Sequence, residues 1–436
     1  MDAPTGSPPL RSLVATFLGI GLASFGGPAG QIAVMHRVLV DERKWLDEAR
    51  FLHALNYCML LPGPEAQQLA CYAGWLLRGQ LGGVIAGALF VLPGALAMWL
   101  LCCAYVHWHG SAVVEALGYG LKAAVIAVVA AALVRVARRA LTSRWRWLLA
   151  AAAFVALALL ALPFPVVIAL AAAFGALVPM SAVERPPALP AAPGERRRLA
   201  RRTAATAAVW LALWLAPLAV LAWTLGPEHV LSAQSWFFSR AAIVTFGGAY
   251  AVLPYVADHA VAAAWLTPSE MVDGLGLAET TPGPLVLVLE FVGFLGAARH
   301  AGWTPLLAGS AGAAVACWAT FMPSYLWIFA GAPWIERTRG MPRLANALGG
   351  VTAAVVGVIA HLAWWFALHV LFARHDVLAV GALTIEVPAW STFDPYAAAI
   401  ALAAGAALIR WRVALGWVLA ASVAAGATIW WLTGTG

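Results

Sequence analysis

Charge is what this sequence has least of. Asp, Glu, Lys and Arg make up 10% of its 436 residues, against 63% hydrophobic residues. Soluble domains carry about 25% charged residues, so a soluble globular protein is excluded. Cysteine is scarce too. The five (Cys58, Cys71, Cys102, Cys103, Cys317) lie in apolar segments without metal-type spacing to histidine, which excludes a zinc module and points to buried apolar side chains. No nucleotide-binding loop, metal cluster or nucleophile–base constellation is present, which argues against an enzyme and implies no cofactor. The N-terminus MDAPTGSPPLR lacks a basic region followed by an apolar core and small-residue cleavage site, so no cleaved signal peptide is expected. The net charge of +7 does not indicate nucleic acid, because the arginines sit in short loops between apolar segments.

What is abundant is uninterrupted apolar chain. Trp147–Val183, Thr203–Pro227, Trp303–Ile335 and Leu344–Ala373 contain no Asp, Glu, Lys or Arg and exceed the roughly 20 residues that span a bilayer. The expected fold class is an all-α polytopic membrane protein, with the lipid bilayer as its first partner.

Three landmarks occur twice in the same order. SFGGPAG at 24–30 returns as TFGGAYA at 245–251, Trp45-Leu46 as Trp265-Leu266, and Pro62-Gly63-Pro64 as Pro282-Gly283-Pro284. Tryptophan precedes the first proline by 17 residues in both copies. Three landmarks in register indicate an internal duplication. Lys/Arg-rich loops stay cytoplasmic. The loop at 36–50 holds Arg37, Arg43, Lys44 and Arg50, whereas its counterpart at 257–268 holds no Lys or Arg. Nor do the loops at 107–112, 161–165 and 226–235. Crossings at 79–106, 113–134, 147–161, 166–183 and 203–225 are odd in number, so the second copy is expected to be inverted, as in many secondary transporters. The chain divides into an N-terminal repeat at 1–182, a Pro/Arg-rich cytoplasmic linker at 183–202, a connecting span at 203–231 and an inverted C-terminal repeat at 232–436. The N-terminus is expected in the cytoplasm.

Proline inside apolar helix breaks it. The arms flanking the first PGP, Phe51–Leu61 and Glu65–Leu77, have 11 and 13 residues. At 1.5 Å per residue each reaches about 17–20 Å, short of the ~30 Å hydrocarbon core. They read as re-entrant half-helices. The FGG segments are either similar broken helices or single spans. Pro64 and Pro284 suit helix starts, whose free N–H groups favour an anion. Gly26, Gly27, Gly247 and Gly248 permit close backbone approach. The candidate anion site therefore comprises Ser24, Gly26, Gly27, Pro62, Gly63, Pro64 and Gln67 from the first half. The second half supplies Thr245, Gly247, Gly248, Thr280, Thr281, Pro282, Gly283 and Pro284. The competing reading is that the breaks serve packing alone. Glu65 and Glu279 are candidates for a coupling proton, since burial favours the neutral carboxyl; Glu65 reads equally as a first-turn carboxylate. Lys122, with Glu115 seven residues earlier on a similar face, is a buried-charge candidate or half of a structural ion pair. Arg240 is an anion clamp or an interface residue. Trp45 and Trp265 read as interfacial anchors, and His361 and His369 as packing or interface residues.

The motifs SFGGPAGQIAVMH, RKWLDEARF, LLPGPEAQQLACYAGW, TFGGAYAVLP and LAETTPGPLVLVLEFVGF resemble those of the chromate ion transporter family in its long, two-domain form, over about 11–182 and 232–430. The resemblance implies chromate efflux across a bacterial-type inner membrane and chromate resistance. Sulfate is the structural analogue, and protons or a counter-anion would supply the coupling. A carrier of sulfate or another oxyanion, or an anion channel, is the alternative, and a homodimer is left open. The second half lacks the proline after FGG and the glutamate after PGP, so Glu65 has no symmetric counterpart.

Overall fold

The computed structural model describes residues 7–25, 27–108, 110–178, 195–246, 248–334, 342–380 and 383–433. Gly26, Gly247 and residues 183–194 of the linker lie outside the described residues. The protein is an all-α polytopic membrane protein. Among the described residues six helices are long and apolar enough to cross a bilayer, and large apolar side chains such as Trp223 (86% exposed) and Leu177 (82%) face outward. Such exposure is costly in water and natural in lipid.

The N-terminal half runs α1 (Leu10–Ala23), α2 (Gly27–His36), a π-helical turn (Arg37–Glu42), α3 (Glu48–Cys58) and α4 (Glu65–Trp108). Next come α5 (Ala112–Ala140), α6 (Arg144–Ala158) and α7 (Phe164–Leu177). α4 is two helices joined at a break, with Arg78 at φ −146° and Gly79 at φ +61°, ψ −155°. Only glycine accepts that second conformation readily. The arm after the first PGP therefore stops at Leu77, and the long span starts where the sequence places it. α8 (Glu195–Leu225) begins inside the segment read as linker; its Glu-Arg-Arg-Arg-Leu-Ala start is made of good helix formers.

The second half runs α9 (Val230–Val244), α10 (Ala249–Ala262), α11 (Pro268–Thr280), a 3₁₀ turn (Leu285–Leu287), α12 (Val288–His300) and α13 (Pro305–Gly331). It continues with α14 (Pro342–Leu371), a hairpin of β1 (His375–Val380) and β2 (Leu383–Pro388), α15 (Pro395–Ile409) and α16 (Leu415–Thr433). The hairpin is absent from the sequence reading. α6 and α7, counted there as crossings, have only 15 and 14 residues, about 21–23 Å at helical rise.

The two copies of each landmark share a backbone conformation. Gly27 and Gly248 have φ of +74° and +95°, and Gly63 and Gly283 have +115° and +87°. Lys44 and Ala264, which precede the paired tryptophans, have +54° and +56°.

The chain forms two compact units, each drawing on both halves of the sequence. The first comprises Met1–Cys102, Val183–Ala249 and Thr281–Pro342; the second Cys103–Ala182, Tyr250–Thr280 and Arg343–Gly436. In the first unit, α12 and α13 approach so closely that a Cβ on Gly293 would lie 2.6 Å from the Gly312 carbonyl oxygen. Small residues at such a crossing allow the backbone approach that stabilises helix pairs in lipid. In the second unit, α5 packs on α15 and α16. Asp394 caps α15 by accepting from the N–H groups of Tyr396 and Ala397, and the Tyr119 hydroxyl donates to it at 2.7 Å. Trp265, read as an interfacial anchor, is buried there at 4% exposure, edge-on to the His259 ring.

Candidate functional site

All four helix breaks named by the sequence, two FGG and two PGP, fall within the first unit. They are cross-connected. The Gly63 N–H donates to the Thr245 carbonyl and the Gly283 N–H to the Ser24 carbonyl, each at 2.8 Å. Ser24 and Thr245 are equivalent residues, each directly before Phe-Gly-Gly. The PGP turn of each half is thus tied to the FGG turn of the other. The side chains of the two latch residues turn back on their own helices. The Ser24 hydroxyl donates to the Ile20 carbonyl at 2.6 Å, and the Thr245 hydroxyl to the Ala241 carbonyl at 2.5 Å.

These bonds change the expected donor set. The N–H groups of Gly63 and Gly283 hold backbone carbonyls, and the two hydroxyls are spent within their helices. The donors aligned behind each turn are the next ones along. The first bond within α4 runs from the Gln68 N–H to the Pro64 carbonyl at 3.0 Å, so the N–H groups of Glu65, Ala66 and Gln67 have no acceptor inside their own helix. After the second PGP a tight turn forms instead, with the Leu287 N–H donating to the Pro284 carbonyl at 2.9 Å. Pro64 and Pro284 each stand one residue before the helical turn, not as its first member. The effect on the backbone is the same, because neither has an N–H to lose.

Two glutamines brace the PGP turns, and a third binds within α12. Gln31 donates from Nε2 to the Gly283 carbonyl at 2.6 Å, and Gln68 from Nε2 to the Pro62 carbonyl at 2.7 Å. Ser324 lies 3.5 Å from the same Gln68 nitrogen. Gln234 reaches the Gly293 carbonyl at 3.1 Å. Gln67 is fully buried; its side-chain amide lies beside the Tyr325 hydroxyl, without a hydrogen bond of good geometry to either amide atom among the described residues. Ser239 and Thr320 are likewise buried with unpaired hydroxyls. Buried polar atoms left without partners are costly, so each is a candidate contact for water or ligand. Among the described residues no Lys or Arg is buried. An anion here would meet neutral donors and helix N-termini.

Of the other candidates, Pro62 is half-buried, and Thr281 and Pro284 are buried. The Pro282 carbonyl packs onto Gly94, where a Cβ would lie 2.2 Å away. Arg240 is exposed on α9. Glu65 is half-buried at the start of α4. Sequence reasoning missed Gln31, Gln234, Ser239, Thr320, Ser324 and Glu290. Glu290 is 4% exposed on α12 and accepts from the Cys317 thiol at 3.4 Å. The available signal was polarity inside apolar helices.

Thr280, Glu279 and Lys122 belong to the second unit. Thr280 is exposed and its hydroxyl donates to the Leu277 carbonyl at 2.8 Å. Glu279 is buried and accepts from the Tyr250 hydroxyl. Lys122 takes its partners from α11, not from Glu115. Its Nζ donates to the Ser269 hydroxyl at 2.7 Å and stands 3.4 Å from the Asp273 carboxylate, which also accepts from the Tyr105 hydroxyl at 2.9 Å.

Comparison with known proteins agrees with the motifs. The sequence profile of the family described as chromate transporter matches residues 11–176 and 233–427. A chromate transport protein of Pseudomonas aeruginosa is 33% identical over 370 residues, 82% of each chain. One from Cupriavidus metallidurans is 32% identical over 359 residues, also 82% of each chain. A probable chromate transport protein of Synechococcus elongatus is 31% identical over 352 residues, 80% of this chain and 83% of that one. No solved structure matches the chain. On both the profile and the full-length relatives, this chain belongs to the chromate transporter family.

Proposed function

We propose that this protein is a secondary transporter that exports chromate across the bacterial inner membrane and thereby confers chromate resistance. The observation that carries the site is the reciprocal latch, Gly63 to Thr245 and Gly283 to Ser24. It supports a reading in which two inverted repeats exchange their broken helices around one anion position. A tetrahedral oxyanion is held there by neutral donors: the first free N–H groups of α4, the Gln67 amide and the hydroxyls of Ser239 and Thr320. Gly27 and Gly248 give the room for close approach, and Thr281 with Pro62, Pro282, Pro64 and Pro284 shapes the rim. Neutral donors suit a carrier, because fixed positive charge would hold a dianion too tightly for release. Glu65 in the first repeat is the coupling carboxylate of this reading; protonation lets it sit near the anion without repulsion.

The test is chromate flux in proteoliposomes under imposed pH gradients, with sulfate as competitor. Gradient-driven chromate movement that saturates is the expected result. Flux of sulfate in preference to chromate would reassign the substrate. Currents far above carrier turnover would make the protein a channel.

A further inference from the structure

The second unit contains a cavity of about 730 Å³ whose walls include Tyr255, Asp258, His259, His361, Trp365 and Glu386. Two parts of the chain that the sequence reads as free of Lys and Arg, the 161–165 loop and the 257–268 loop, meet around it beside Glu386 of β2. By the charge rule both loops face away from the cytoplasm.

Behind the Glu386 wall, His369, His375 and Glu386 each offer a ligand atom, and these atoms lie within 4.8 Å of one another. The fold explains the grouping. His375 opens β1 and pairs with Pro388 on β2. Glu386 is two residues before Pro388, so it shares a face with His375 as a diagonal neighbour. The Ala389 N–H donates to the Arg374 carbonyl at 3.0 Å and the Asp394 N–H to the Leu371 carbonyl at 2.9 Å. These bonds fold the hairpin back over the last turn of α14, where His369 sits, and the two imidazole centroids come to 4.4 Å.

Two further details suit a ligand set. His369 Nδ1 is 2.9 Å from the Trp365 carbonyl. An N–H there donates to the carbonyl and leaves Nε2 as the lone-pair nitrogen, the usual outer support of a metal-bound histidine. His375 Nδ1 is buried with no hydrogen-bond partner. Two imidazoles and one carboxylate match zinc and its neighbours, whereas calcium and magnesium prefer all-oxygen sites.

We propose that His369, His375 and Glu386 bind a divalent transition-metal ion of the zinc kind, which clips the β-hairpin to the end of α14 and keeps an open coordination position. This assigns His369 a role that its sequence context, a histidine in an apolar helix, does not suggest. The site is independent of the anion reading.

The test uses the full-length protein, purified in detergent without a histidine tag and stripped with a chelator. Calorimetric titration with Zn²⁺ should show one equivalent bound, and Co²⁺ should give the visible absorption of a low-coordinate nitrogen–oxygen site. Loss of a supporting hydrogen bond alone typically weakens a metal site 10–100-fold, so His375→Ala and Glu386→Gln should each weaken Zn²⁺ binding by about tenfold or more. Zn²⁺ should raise the Tm of the wild type and not of these variants. His36→Ala, which removes a half-buried histidine paired with Asp41 and Glu48, should leave binding unchanged. Failure of the wild type to bind Zn²⁺ overturns the proposal without reference to any variant. So does equal binding by wild type and a folded His369→Ala/His375→Ala/Glu386→Gln variant, which would assign the ion to scattered surface histidines.

Discussion

The backbone N–H of Gly283 donates to the carbonyl of Ser24 at 2.8 Å, and its counterpart Gly63 makes the same bond to Thr245. Both glycines have positive φ, which costs an L-residue about 1–2 kcal/mol. Their surroundings differ. A Cβ on Gly283 would lie 3.2 Å from the Cα of Gly94, whereas one on Gly63 would meet the Gln68 amide nitrogen at 2.9 Å, the movable end of a side chain. Gly283→Ala should therefore lower thermal stability more than Gly63→Ala, and valine should be worse at both. Thermal denaturation of the purified variants checks the order; equal losses would mean that the contact with Gly94 does not matter.

The latch also bears on chromate. In any valine variant that remains folded and monodisperse, the PGP turn can no longer seat against the opposing FGG turn, so chromate binding should be lost. Normal binding in folded Gly63→Val and Gly283→Val proteins would return both turns to a packing role.

Glu65 has no counterpart after the second PGP, where Leu285 stands. If it carries the coupling proton, Glu65→Gln should flatten the pH dependence of transport while leaving anion affinity within a few-fold, because the amide imitates the protonated carboxyl. Flux measured across a pH series decides this. An unaltered pH profile in a well-expressed variant removes Glu65 from coupling and directs attention to buried Glu290.

Lys122 and Asp273 form a partly buried pair, with side chains 28% and 11% exposed. Removing the lysine strands the less exposed partner. Lys122→Met should cost about 1–3 kcal/mol, less than a fully buried pair because solvent screens the ammonium. Lys122→Met combined with Asp273→Asn should recover part of the loss. A double-mutant cycle on Tm reads the coupling, and strictly additive losses would mean that the pair contributes nothing.

Within the second unit, the Lys/Arg-free walls of the cavity and the arginine-rich segment at 135–146 should lie on opposite sides of the membrane. Single cysteines at Leu162 and Trp390, in a background without the five native cysteines, should label with an impermeant reagent from outside intact cells. One at Arg139 should label only after permeabilisation. Labelling of all three from one side would break the topology on which the inverted repeat rests.

Membrane residence, the helical class and the places where helices break could be read from sequence by itself, and for a local reason. Apolar run length decides whether a segment can leave water, and proline or glycine decides where its backbone cannot continue as helix. Thus 65–77 ends before Gly79, and helices stop before both FGG motifs and both PGP motifs. What these breaks touch was not legible. The N–H of Gly63 is a free donor in any local view, and only the fold supplies the Thr245 carbonyl that occupies it. Gln31 and Gln234 look like stray polar residues until carbonyls from distant segments reach them. Lys122 has Glu115 nearby in sequence, yet its partners come from α11. His369, His375 and Glu386 become a ligand set only because a hairpin that apolar patterning does not announce folds back onto a helix end. Backbone conformation follows from neighbours along the chain, but the pairing of buried polar groups depends on which distant segments share a low-dielectric interior, and that is decided by packing.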